Sequence, residues 1–187
     1  RHSFPTRRSS DLEIGPIKKW KKLKLTERGE PMETFGRVLH AHLPGEIAKR
    51  EIMTASKILE WPENHIDLRY ANDSTGPGNA ILLGARFAKV CEISTGIAQM
   101  GKSAEAVATG AAKGLRGYQA STAPVGAHLA DQLLLPMALA GGGVFHTLSI
   151  TNHTRTNMAL IEQFLPVKFS VEEIGPSGRA VSVSPVR

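Results

Sequence analysis

The chain has 187 residues, enough for one domain of ordinary size or two small ones, and its 41% hydrophobic and 21% charged residues are globular composition that excludes wholesale disorder. The longest apolar run, near Leu133–Ala140, is short and broken by Pro136, which excludes a membrane span, and the single Cys91 cannot form an intramolecular disulfide, so a cytoplasmic location is expected. The formal net charge of +6 falls to +4 (20 cations against 16 acids) once Arg1, Arg7, Arg8 and Asp11 are set aside, which is compatible with a polyanionic partner without demanding one.

Those four residues belong to the segment 1–12 (RHSFPTRRSSDL), which has no usable periodicity. It reads as adapter-like, non-native sequence, with a natural basic arm as the alternative. Residues 13–25 (EIGPIKKWKKLKL) read as an interrupted strand with Ile17, Trp20, Leu23 and Leu25 apolar and lysines between them. The lysines form either a solvated strand face or a phosphate-tracking patch. Phe35 to Leu43 alternates as a strand should, Pro44 suits the first turn of a helix, and Ala48, Ile52, Ala55 and Leu59 recur at helical spacing up to Trp61-Pro62.

Ile66 to Tyr70 is a short strand, residues 72–79 (NDSTGPGN) are a loop, and Ile81 to Ile93 holds one or two strands. Ser103 is placed to cap a helix whose apolar face is Ala104, Val107, Ala108, Ala111, Leu115 and Tyr118. Gly110, Gly114 and Gly117 fall on another face of it. Three helical glycines cost roughly 1 kcal/mol each relative to alanine, which predicts close packing against a neighbouring element or else a weak surface helix.

Gly126 to Ala140 is helical through Leu129, Leu133, Leu134 and Met137, with a kink expected at Pro136 and an end at Gly141–Gly143. Val144 to Ile150 alternates as a strand, Thr154 to Leu165 is helical before Pro166, and Val167–Glu172 with Arg179–Ser184 forms a hairpin around the turn 175–178. This order predicts an α+β fold with helices on one face of a sheet.

No phosphate-binding P-loop, metal-binding cysteine pair or nucleophile elbow is present, so candidate chemistry rests on histidines. His153 falls between the end of one strand and the start of a helix. There, free N–H groups favour a phosphate and the neutral imidazole, the form that can attack phosphorus; a structural loop histidine is the competing reading. In His128-Leu129-Ala130-Asp131-Gln132, the i, i+3, i+4 spacing puts a flat ring, a carboxylate and an amide on one helix face. That set suits a purine, and a solvated polar face is the alternative. His40, His42, His65 and His146 show no comparable grouping.

Residues 121–143 (STAPVGAHLADQLLLPMALAGGG) and 152–169 (NHTRTNMALIEQFLPVKF) resemble the C-terminal region of RNA 3'-terminal phosphate cyclases, and residues 27–52 with Gly76–Asn79 resemble the family's inserted small domain. The resemblance implies repeated units of two helices and a four-stranded sheet, interrupted by a small α+β domain. Residues 13–28 would end the second unit, 29–122 form the insert, and 123–187 form the third unit.

By the same resemblance, His153 is the histidine that becomes adenylylated and His128, Leu129, Ala130, Asp131 and Gln132 bind the adenosine of ATP. His128 stands where a tyrosine is usual, and Thr95 where an aromatic residue can stand. The implied reaction uses ATP and a divalent cation, expected to be magnesium, to convert an RNA 3'-phosphate into a 2',3'-cyclic phosphodiester. The resemblance also implies that an N-terminal half carrying part of the site lies outside this sequence, so this chain is expected to be inactive alone. A non-catalytic cyclase-like factor of ribosomal RNA maturation is the alternative, against which the presence of His153 counts.

Overall fold

The computed structural model describes residue 15, residues 19–175 and residues 178–186. The segment 1–12, residues 13, 14 and 16–18 of the strand expected from residue 13, and the turn residues 176 and 177 therefore lie outside the described residues. What is described is α+β, with two four-stranded sheets and two separate cores.

The first sheet is built from β2 (Pro31–Ala41), β3 (Ile66–Tyr70), β4 (Gly78–Phe87) and β5 (Cys91–Ile97), in the order β3-β2-β4-β5. Helix α1 (Gly45–Leu59) makes the crossover between the parallel pair β2 and β3. Helix α2 (Ala104–Ala120) follows the β4–β5 hairpin and lies against both strands and α1. Val38, Ile81 and Leu83 from the sheet meet Ala48 and Ala55 of α1 and Val107, Ala111 and Leu115 of α2 in one buried cluster. The alanines let both helices approach the sheet, and Gly96 completes the fit, because a Cβ there would stand 2.8 Å from the Val107 carbonyl oxygen.

The second sheet has the order β1-β6-β8-β7, from β1 (Leu23–Leu25), β6 (Gly143–Thr147), β7 (Val167–Ile174) and β8 (Gly178–Pro185). Its core joins Leu25, Phe145, Phe169, Val181 and Val183 to Ala130, Leu134 and Met137 of α3 (Ala127–Leu139) and Met158 of α4 (Asn152–Phe164). β1 pairs parallel with β6, so the first sheet and its helices occupy the connection between two neighbouring strands of the second.

Several boundaries differ from the sequence reading. Of the strand expected over 13–25, only Leu23–Leu25 is strand among the described residues, because β6 offers it a ladder of just three partners, Gly143 to Phe145. β2 begins at Pro31 rather than Phe35, carried there by its antiparallel ladder with β4, and ends at Ala41, where His42 turns to φ 50°. The run 81–93 divides into β4 and β5, the second reaching Ile97. β6 stops at Thr147, opposite Arg179 at the hairpin end of β8. α3 continues through Pro136 to Leu139, and Gly141 then takes φ 65° as the chain turns into β6.

The two sheets are fastened at Arg28. Its Nη2 donates to the Tyr118 carbonyl at 3.2 Å, to Ser121 Oγ at 2.9 Å and to the Ala123 carbonyl at 2.5 Å. The guanidinium carbon also stands 4.2 Å from the Tyr118 ring centroid and 4.8 Å from that of Phe87. The Tyr118 hydroxyl in turn donates to the Pro124 carbonyl at 2.9 Å. One cation thus gathers the exit from β1 and the return from α2, the two chain crossings between the halves.

Candidate functional site

Helix α4 starts two residues earlier than its apolar spacing suggests. Thr151 is the N-cap, its Oγ1 accepting from the Thr154 N–H at 3.1 Å, and Arg155 N–H donates to the Thr151 carbonyl at 3.0 Å. His153 is therefore the second residue of the helix and not a loop residue before it. The cap was missed because the expected start rested on Met158, Ile161 and Leu165, none of which lies in the first turn. Thr154 is fully buried and anchors the turn, while His153 on the same turn is exposed. The first-turn N–H groups of Asn152 and His153 precede the helix's own bonding ladder, so imidazole and unbonded donors share one helix end.

The segment 128–132 divides between two surroundings. His128, Leu129 and Gln132 face a cleft of about 490 Å³ with Glu92, Ile93 and Thr95 of β5 opposite. Ala130 is buried in the second core. Asp131 turns the other way: its Oδ1 accepts from Asn157 Nδ2 at 2.7 Å, tying α3 to α4 one turn beyond His153. The structure thus brings His128, Gln132 and Thr95 together and links Asp131 to the helix that carries His153. His153 itself is not among the residues lining the cleft.

An adjoining cavity of about 480 Å³ extends the cleft past Lys113 and along the glycines of α2 to Leu148 and Ser149, in the loop leading to α4. The close packing expected of those glycines holds for Gly114 alone, whose Cβ would meet Ser94 Oγ at 2.5 Å. Gly110 and Gly117 have open space before them and form part of the cavity wall.

Glu92 is the site residue that sequence reasoning missed. It lines both cavities, and a Cβ on Gly126 would come within 2.0 Å of its Oε1, so a side chain at the N-cap of α3 would require the Glu92 carboxyl to shift. Burial pushes the Glu92 carboxyl above its ordinary range, and the Gly126 N–H and the charges of His128 and Arg28 pull it part of the way back. Nothing in an alternating strand CEISTGI distinguishes a carboxylate that will face a helix end from one that will face water.

With this geometry in view, the comparisons with known proteins become specific. The family model of the RNA 3'-terminal phosphate cyclase insert domain matches residues 26–120, half of the chain. The chain belongs to the RNA 3'-terminal phosphate cyclase family. It is 45% identical over 161 residues to the RNA 3'-terminal phosphate cyclase of Koribacter versatilis, an alignment covering 86% of this chain and 45% of that protein. The cyclase of Salmonella enteritidis is 40% identical over 171 residues, covering 91% and 50%, and that of Pseudomonas aeruginosa is 34% identical over 186 residues, covering 98% and 54%. The chain spans about half the length of these cyclase relatives. The matched insert region runs from just after β1 to the end of α2, which is the stretch that separates β1 from the rest of its sheet. No helix among the described residues is long and apolar enough to cross a membrane.

Proposed function

We infer that the complete protein is an ATP-dependent RNA 3'-terminal phosphate cyclase, in which this chain supplies the nucleophile His153 and the adenosine-binding helix α3. The observation that carries the reading is an exposed imidazole in the first turn of a capped helix, in a chain of this family. Neutral imidazole has a lone pair for phosphorus, and the helix end opposes its protonation while offering N–H groups to phosphoryl oxygens.

In the proposed sequence, a ring nitrogen of His153 attacks the α-phosphorus of ATP, the bond to the bridging oxygen breaks, and pyrophosphate leaves. An oxygen of the RNA 3'-phosphate then attacks the same phosphorus, breaking the P–N bond and forming an RNA-adenylate anhydride. Finally the neighbouring 2'-hydroxyl attacks the RNA phosphorus and loses its proton, and AMP departs with the bridging oxygen. The last step is intramolecular, so a fixed ribose geometry lowers its barrier without a dedicated base.

The cleft of about 490 Å³ suits a purine nucleoside, with the His128 ring as a stacking surface and Gln132 as a donor and acceptor for the base edge. Asp131, bonded to Asn157, acts through the placement of α4. Among the described residues no three His, Cys, Asp or Glu side chains converge as a metal site. The divalent cation, magnesium by proposal, would accompany the ATP phosphates and neutralise the pyrophosphate leaving group.

The reading is tested with the complete protein and RNA ending in a 3'-phosphate. Cyclisation should require ATP and should vanish in His153→Ala, and this variant should still cyclise RNA supplied as the pre-formed adenylate. Failure of the variant on that substrate, with its fold intact, would contradict a role confined to AMP transfer. The 187-residue chain alone is proposed to be inactive, because its relatives are about twice as long.

A further inference from the structure

Helices α2 and α4 each begin under a hydroxyl of their own, Ser103 Oγ accepting from the Ala106 N–H at 3.2 Å and Thr151 Oγ1 from the Thr154 N–H at 3.1 Å. Helix α3 does not. Its N-cap is Gly126, which has no side chain, and its first turn holds no acidic residue. The first N–H groups of a helix have no partner within it, so an uncapped start frays unless another element brings an acceptor.

Glu92 brings it from β5, the edge strand of the first sheet. The position a Gly126 Cβ would take falls among its Oε1, Cδ and Oε2 atoms, and the carboxyl accepts from the Gly126 N–H. Gly126 has φ −74° and ψ 168°, ordinary extended backbone, so glycine here leaves room for the carboxyl and does not serve a special turn. The connection from α2 is held along its length by groups of the first half. Arg28 holds Ser121 and Ala123, the Tyr118 hydroxyl holds Pro124, and Glu92 holds Gly126, the last contact before the helix. Two residues on, His128 lines the cleft, and Gln132 follows one turn later on the same wall.

We propose that Glu92 is a positioning residue for nucleotide binding: reaching across from the first sheet, its carboxyl caps α3 and so fixes the His128 ring in the wall of the cleft. A cap acts on the first turn, which carries His128, and leaves Gln132, a turn further in, and His153, on α4, where they are. Its effect on ATP rests on the reading of α3 as the adenosine-binding helix; the cap does not. The first sheet thereby takes part in a site whose other assigned residues all lie on α3 and α4.

Amide exchange in the 187-residue chain labelled with nitrogen-15 decides the cap. In Glu92→Ala the Ala130 N–H, which donates to the Gly126 carbonyl at 2.9 Å and closes the first turn, should exchange about fivefold faster, the loss typical of a cap. Glu92→Gln keeps an oxygen acceptor and should restore most of the protection. Gly126→Ala should act like Glu92→Ala, since the added methyl displaces a flexible carboxyl and not backbone, and the two changes together should fall clearly short of the product of their separate effects. In the complete protein, Glu92→Ala should raise the ATP concentration for half-maximal AMP transfer by at least about threefold, because a displaced His128 ring loses part of its stacking. The rate at saturating ATP should stay within about twofold of the parent, as when binding alone is lost, and Glu92→Gln should recover the ATP requirement. Unchanged exchange at Ala130 in Glu92→Ala and Gly126→Ala, or separate effects that multiply, overturns the cap. Faster exchange with an unchanged ATP requirement overturns the positioning role and leaves the cyclase reading standing. A parent protein that forms no AMP adduct overturns that reading and the effect on ATP with it, while the exchange data still decide the cap.

Discussion

Replacing Arg28 with alanine removes the fastener between the two halves. The substitution takes away three hydrogen bonds from one guanidinium nitrogen, at 2.5 to 3.2 Å, and two cation–ring contacts, at 4.2 and 4.8 Å. Hydrogen bonds made by a charged group contribute about 1.5–3 kcal/mol, and each partly exposed cation–ring contact adds about 0.5–1 kcal/mol. Because the three acceptors share one donor nitrogen and water can reach part of the residue, the bonds count as a single group, and the expected loss is about 3 kcal/mol. Urea unfolding followed by the fluorescence of Trp61, which packs against the first core, measures it. Hydrogen exchange at Val125, whose N–H donates to the His146 carbonyl at 3.2 Å, should accelerate with it, since residues 121–124 lose their anchor. Arg28→Lys should recover less than half, because an ammonium lacks the planar fork and its stacking surface. A loss below about 1 kcal/mol with unchanged exchange at Val125 would refute the role given to Arg28.

Thr151→Ala should destabilise α4 by about 1 kcal/mol through loss of the cap, visible as a lower thermal midpoint, while Thr151→Ser should be nearly neutral. The Asp131–Asn157 contact should give a coupling energy of about 1 kcal/mol in a double-mutant cycle with Asp131→Ala and Asn157→Ala, measured by denaturant unfolding. For Glu51 of α1, which is completely buried, burial raises the folded pKa, so the native state favours the protonated form. That contribution is fully present below the unfolded carboxyl pKa of 4.5 and is lost as pH rises through the folded value. Glu51→Gln should therefore raise the melting temperature at pH 7 and converge on the parent below pH about 4.5, as followed by circular dichroism.

The elements with a strong apolar period were legible from sequence: α2 with its Ser103 cap, β3 and the closing hairpin stand close to where their patterns put them. The α4 boundary was not, because a cap is a local hydrogen bond to one hydroxyl and leaves no periodic trace; Thr151 and Thr154 look alike until one accepts the other's N–H. Spacing correctly put His128 and Gln132 on one face, yet it could not tell that Asp131, at the edge of that face, would turn to Asn157, 26 residues along the chain. Arg28, Glu92 and Glu51 were illegible for the same reason. Each is defined by partners, or by their absence, on elements brought near by the fold, and a charged residue in a strand or helix reads as solvated until that packing is known. The insertion between β1 and β6 was legible only through family resemblance, since a parallel pairing separated by more than a hundred residues has no local signature.

The measurement that bears most directly on the central claim is the transfer of AMP to the protein. The complete protein, incubated with ATP labelled at the α-phosphate and run on a denaturing gel, should carry a label that acid removes and alkali does not, as expected for a phosphoramidate on histidine. His153→Ala should carry none while keeping its circular dichroism spectrum, and His128→Ala should still become labelled at higher ATP, since it loses a stacking surface of about 1–3 kcal/mol and not the nucleophile. A full-strength adduct on His153→Ala would place the nucleophile elsewhere and contradict the account.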